Sequence, residues 1–134
     1  MNIVKLNENV AVSGQIVAQN VPQIAAAGYK VLINNRPDGE EGNQPSNAEI
    51  ATAAAAAGLE YHYIPITAHN FPGPDFALMS DLLADSERPV LAFCRTGTRC
   101  TNLWVASQDA GSREEARIQA GRLGYDLGMA NSMA

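Results

Sequence analysis

Residues 89–100 read PVLAFCRTGTRC, and this stretch decides the fold. Its first half, Pro89-Val90-Leu91-Ala92-Phe93, is a short unbroken apolar run, which predicts a strand buried on both faces. Cys94 follows directly, and Gly97 lets the backbone turn tightly where a Cβ would crowd it. From Thr98 to Ala110 the sequence predicts a helix closed by Gly111. Strand, cysteine, short loop and helix together set a thiol at a helix N-terminus, where unpaired amides and the macrodipole favour negative charge. Arg95 and Arg99 add cations. Cysteines in such surroundings have pKa values lowered from about 8.5 into the range of roughly 3.5–7.5, and the thiolate is the nucleophilic form. The residues point to a pair that does the chemistry, Cys94 and Arg99, with Arg95, Thr96, Gly97 and Thr98 as the anion-binding loop. The plain alternative is a small buried cysteine after a strand, and two arginines within five residues of Cys94 argue against it.

The same alternation of elements runs outward along the chain. Residues 2–6 and 9–13 read as two short strands. NVPQIAAAG (20–28) reads as a helix with proline early and glycine as its stop. YKVLINN (29–35) and EYHYIPI (60–66) read as strands. Ser46 and Glu49 have capping-box spacing for a helix that Gly58 ends, and Ser112 and Glu115 repeat that spacing for a final helix to about Leu123. Asp75 opens a helix to about Ser86, with Phe76, Met79, Leu82 and Leu83 on one face. The tail after Gly124 reads as frayed or loosely packed. The order predicts an α/β fold with a mainly parallel sheet and helices on both faces. Ligands in such sheets lie beyond the carboxyl ends of the strands. Residues 34–38, 67–70 and 94–99 are therefore expected to converge.

The chain has 134 residues, a size that predicts one domain, 1–134. A net charge of −5 without a Lys/Arg run excludes nucleic acid or an anionic membrane as the main partner. No apolar run is long enough to cross a bilayer, and the N-terminus lacks the layout of a signal peptide. A cytoplasmic location is expected, with both cysteines reduced.

The assembled motifs resemble the phosphatase-like domain of beta-lactamase-hydrolase-like proteins, a bacterial family also described as rhodanese-like sulfur transferases. The resemblance rests on SGQI (13–16), INNRPDGEEGNQPS (33–46), AGLEYHYIPI (57–66) and CRTGTRC (94–100), in that order, and covers nearly the whole chain. It implies a fold like that of dual-specificity phosphatases. In that family the domain stands alone or is fused to a metallo-beta-lactamase-fold persulfide dioxygenase. It also poses a choice of chemistry. Cysteine phosphatases carry Cys-x5-Arg, whereas here Arg99 completes Cys-x4-Arg and Cys100 stands where the phosphatase arginine would fall. The aspartate that such phosphatases use as general acid aligns with Ala68, which cannot donate a proton. Both departures lead to the expectation of a cofactor-free sulfurtransferase of rhodanese type. In that scheme Cys94 takes sulfane sulfur from thiosulfate or a low-molecular-weight persulfide and passes it to a thiol or sulfite. A hydrolase like the protein-tyrosine phosphatases, with Cys94 attacking phosphorus, is the alternative, and a non-catalytic persulfide carrier or anion-binding module is a third reading.

Several residues stay open between two roles. Arg36 either lines the pocket mouth or pairs with Asp38 or Glu40 to shape its loop. His69 and Asp75 are possible secondary site residues, but they read equally well as a solvated loop histidine and a helix-opening acid. Cys100 either resolves an oxidised Cys94 or is packed away. His62 reads as an edge or packed histidine and Trp104 as core. His62, His69 and Cys94 match no usual zinc spacing, so no metal is expected.

Overall fold

The computed structural model describes residues 1–133. Five strands form one sheet: β1 (Val4–Lys5), β2 (Val10–Ser13), β3 (Val31–Asn34), β4 (Glu60–Tyr63) and β5 (Val90–Phe93). Their spatial order is β1-β2-β5-β3-β4. Only β1 runs antiparallel to its neighbour; β2, β5, β3 and β4 pair in parallel. β5 is central, and all four of its residues are buried, as the unbroken apolar run requires.

The pleat sorts the sheet residues between two apolar layers. Val10, Val12, Val31, Ile33, Val90 and Ala92 face one layer, completed by α3 (Phe76–Ala84), α4 (Thr98–Ser107), α5 (Arg113–Arg122) and α6 (Gly128–Asn131). Ala11, Leu32, Leu91 and Phe93 face the other, completed by α1 (Val21–Ala26) and α2 (Asn47–Ala56). Helices therefore cover both faces, as expected for a mainly parallel sheet.

The ladder continues past the strand ends and fixes the carboxyl edge. Cys94 N donates to Ser13 O at 3.3 Å, Asn35 N to Phe93 O at 2.8 Å and Ile66 N to Asn35 O at 3.0 Å. Four chain segments are thus held side by side where the cysteine loop begins.

Of the two capping boxes in the sequence, one forms. Ser46 has the extended backbone a cap needs, with ψ 156°, and its hydroxyl accepts from Glu49 N at 3.1 Å. Ser112 is helical, with ψ −11°, and its side chain caps nothing. Its amide instead bonds Asp109 Oδ1 at 3.1 Å, closing a turn before α5. α4 ends at Ser107 rather than Ala110, because Gln108 is extended (ψ 147°) and the Ser107 and Gln108 side chains take the carbonyl of Trp104.

Residues 126–130, expected to fray or pack loosely, are held in place. Fully buried Asn102 on α4 donates to Thr98 O and Asp126 O, both at 2.8 Å, and accepts from Ala130 N at 2.9 Å. One amide side chain thereby clamps residues 126–130 onto the helix that starts at the cysteine loop. Asn102→Ala removes three hydrogen bonds and leaves buried backbone groups unpaired. It is expected to lower the unfolding free energy in urea by about 2–3 kcal/mol and to release amide-exchange protection at Ala130. A change below about 0.5 kcal/mol, the range of an ordinary surface substitution, would contradict the clamp.

Candidate active site

Cys94 sits where β5 enters the loop, only 1 % exposed. Gly97 N donates to its Sγ at 3.1 Å. That amide can turn back onto the sulfur because Gly97 adopts φ +87°, a left-handed conformation that other residues rarely take. A Cβ there would lie 3.4 Å from the Tyr125 hydroxyl and 3.5 Å from the Ser13 backbone. Gly14 has a related role: a Cβ on it would approach Arg95 O to 3.0 Å, so SGQI lets the loop fold down over β2.

The Cys94 thiol is pulled down to about 5. The largest cause is the neighbouring Cys100 side chain; burial opposes, and the amides of Cys100, Thr96 and Arg99 add to the stabilisation. Cys100 moves the opposite way, well above the usual thiol range, because it is fully buried and lies beside Cys94. The two thiols are thus shifted in opposite directions, and both are free. Of the two roles open to Cys100, burial at 1 % exposure accords with a residue packed away beside Cys94.

Arg99 is held from outside the loop. Its Nη1 donates to Ile66 O at 2.9 Å and to Glu40 Oε2 at 2.9 Å, and its Nη2 donates to Glu40 Oε1 at 2.8 Å. Arg36 reaches the same carboxylate, Nε to Glu40 Oε1 at 3.0 Å, and also bonds Glu41 and Gln15. With a side chain only 4 % exposed, Arg36 pairs with Glu40 and Glu41 rather than Asp38, and it also lines a shallow cleft with Arg95 and Arg99. Asp38 accepts from Asn47 N instead. The two guanidiniums hold Glu40 below the usual carboxylate range, Arg99 first. Arg95 points outward, 65 % exposed, with its Nε 3.4 Å from Glu41.

A cleft of about 670 Å³ opens beside the loop, lined by Arg95, Thr96, Thr98 and Arg99 with Glu40, residues 67–69, Asp126 and Met129. Of the three segments expected to converge, residues 67–69 and the 95–99 loop meet in this cleft, whereas from residues 34–38 only Arg36 comes near, lining a neighbouring cleft of about 460 Å³ with Glu40, Glu41, Arg95 and Arg99. His69 and Ala68 reach the cleft; Asp75 is exposed at the start of α3 and does not line it. His62 pairs with Glu60 on the edge strand. Among the described residues no cluster of three or more His, Cys, Asp or Glu could hold a metal. No described helix is long and apolar enough to cross a membrane. Sequence reasoning missed Glu40 as the partner of Arg99, because the contact spans 59 positions. It missed Asp126 because the tail carried no helical signal.

The family model for the beta-lactamase hydrolase-like protein, phosphatase-like domain, matches residues 2–111. The chain belongs to this family. A beta-lactamase hydrolase-like protein of Agrobacterium fabrum is 38 % identical over 119 residues, 89 % of this chain and 27 % of that protein. The chain thus spans about a quarter of that relative's length. A crystal structure of a candidate phosphatase from Neisseria meningitidis superposes with TM-score 0.82 at 37 % identity, covering 99 % of this chain and 96 % of the other. Pseudomonas aeruginosa TpbA in complex with phosphotyrosine shares the fold at TM-score 0.54 and 19 % identity, covering 98 % of this chain and 90 % of the other.

These findings overturn the expectation of a rhodanese-type sulfurtransferase. The family and the meningococcal structure are both described in phosphatase terms, and the neighbour with a stated guest holds a phosphate ester. Thiosulfate or a persulfide as donor, and a thiol or sulfite as acceptor, fall with that reading. The loop's missing residue misled because loop length alone does not set the site. Arg99 is aimed by Glu40 and by the Ile66 carbonyl, and the adjoining cleft has room for far more than a sulfur atom.

Replacing Cys100 with alanine removes the neighbouring thiol and is expected to raise the pH at which Cys94 alkylation by iodoacetamide half-saturates by at least about one unit. Cys100→Ser, which keeps a polar hydrogen there, should stay nearer the wild-type curve. Identical curves for wild type and Cys100→Ala would contradict the pairing.

Proposed function

We propose that this chain acts as a cysteine phosphatase on phosphate monoesters, with Cys94 as nucleophile. The observation that carries the reading is a buried sulfur that accepts the Gly97 amide at 3.1 Å inside a loop ending in the Arg99 guanidinium, surroundings that pull its pKa down to about 5. Membership of a phosphatase-like family supports it, as does the likeness to the meningococcal structure. Aryl phosphates such as phosphotyrosine are the substrate class that the phosphotyrosine-bound neighbour and the cleft of about 670 Å³ favour.

In the first step the Cys94 thiolate forms an S–P bond as the ester P–O bond breaks, and the leaving oxygen takes a proton. Water then attacks phosphorus, breaks the S–P bond and returns the thiolate with inorganic phosphate. Arg99 and the amides of residues 95–99 balance the charge on the equatorial oxygens. Glu40 orients the Arg99 guanidinium, and Arg36 holds Glu40 in turn. Arg95, 65 % exposed, meets the anionic substrate at the mouth. Because Cys94 is 1 % exposed, the loop parts from the sulfur as the phosphoryl group enters. A reducing compartment such as the cytoplasm suits a reaction that needs this free thiol.

The test is hydrolysis of nitrophenyl phosphate and of a phosphotyrosine peptide. Cys94→Ser should abolish both activities, and Arg99→Lys, which loses the bidentate fork, should cost about a hundredfold or more in kcat. The wild-type rate should fall as pH drops through about 5, where the thiolate takes up its proton. Turnover that survives in Cys94→Ser would overturn the proposal.

A further inference from the structure

The cleft contains three acids or bases that could hand a proton to a leaving oxygen: Glu40, His69 and Asp126. Glu40 is committed to Arg99 and Arg36, which hold it as the carboxylate. His69 belongs to an exposed turn whose bonds are internal, between Thr67, His69 and Asn70. Among the described residues its imidazole bonds to nothing that would fix it over the loop.

Asp126 is exposed like His69 but is fixed at two of its atoms. Its carbonyl takes the Asn102 amide at 2.8 Å, and its Oδ1 accepts from Gly128 N at 2.8 Å. The preceding residue, Tyr125, bears on the cysteine loop itself, with its hydroxyl 3.4 Å from the position of a Cβ on Gly97. Asn102 lies on α4, the helix that begins at Thr98, so the anchor of Asp126 sits on the helix that continues the loop. The second carboxylate oxygen of Asp126 has no partner among the described residues, and the side chain lines the cleft with Thr96 and Thr98.

We propose that Asp126 is the proton donor to the leaving oxygen. This rests on the phosphatase reading above and fills the role that Ala68 cannot. In the first step Asp126 gives its proton to the departing alkoxide or phenoxide as the P–O bond breaks, becoming a carboxylate. In the second it takes a proton from the attacking water as the S–P bond breaks, and the acid is restored. Asp126 lies beyond residues 2–111, the part that the family model matches. The proposal therefore makes the C-terminal segment part of the catalytic unit.

The experiment compares wild type, Asp126→Asn and His69→Asn on two esters. Phenyl phosphate has a leaving group that needs protonation, whereas dinitrophenyl phosphate has one that departs as the anion. Asparagine keeps an oxygen for the Gly128 amide, so the turn survives. Asp126→Asn is expected to lose about a hundredfold or more in kcat on phenyl phosphate and less than about fivefold on dinitrophenyl phosphate, which also reports an intact fold. An equal loss on both esters, or no loss on phenyl phosphate, would overturn the assignment. So would the same differential in His69→Asn with Asp126→Asn unaffected. A wild-type chain inert toward both esters would remove the phosphatase reading and this proposal together, whereas active wild type with a flat Asp126→Asn response would sink only the proton donor.

Discussion

A sulfur anion buried at the base of a short loop is the constraint around which this structure is arranged. An isolated charge in such a place would be driven back to its neutral form. Here the neighbouring Cys100 thiol, the amides of Thr96, Arg99 and Cys100, and the 3.1 Å bond from Gly97 N outweigh burial. Each donor has its own demand on the sequence. Gly97 must be glycine for its φ of +87°, Gly14 must be small so that the loop can descend, and Cys100 must be fully buried so that it stays protonated. The central strand β5 supplies the rigid approach, with all its residues buried between the two apolar layers.

A second charge arrangement grows from the first. The guanidinium of Arg99 is useful only if it is aimed, and its aim comes from Glu40 in a loop 59 positions away. Glu40 is held in turn by Arg36, whose burial makes its three partners obligatory rather than ornamental. Removing one member would strand a charge at low exposure, which costs more than an ordinary surface pair. The loop of residues 36–46 is therefore a part of the site, although none of its residues belongs to the cysteine motif.

Much of this was legible in the sequence, for local reasons. The apolar run at 90–93, the glycine stops and the Ser46–Glu49 box each express an interaction within a few residues, and the fold follows from their order. The same reading failed where two conformations compete for one signal. Ser112 has the same spacing as Ser46, but the turn closed by Asp109 keeps its backbone helical and the cap does not form. The tail reads as frayed or loosely packed in sequence, yet the buried amide of Asn102 clamps it and Tyr125, Leu127 and Ala130 pack on the core, contacts that only the tertiary fold supplies. Cys94 and Arg99 were visible as a motif, yet Glu40 and Asp126 were not, since only tertiary contacts bring them to the cleft. The choice of chemistry went wrong for a related reason: counting loop residues ignored the groups outside the loop that hold Arg99.

A phosphatase of this design passes through a phosphocysteine, and trapping that species is the most direct trial of the account. Acid-quenching the wild-type chain during turnover of an aryl phosphate, followed by mass spectrometry of the peptide that carries residue 94, should find a phosphoryl adduct on Cys94. The Cys94→Ser chain should carry none. Steady release of phosphate with no adduct on Cys94, or with the adduct on another residue, would contradict the central claim.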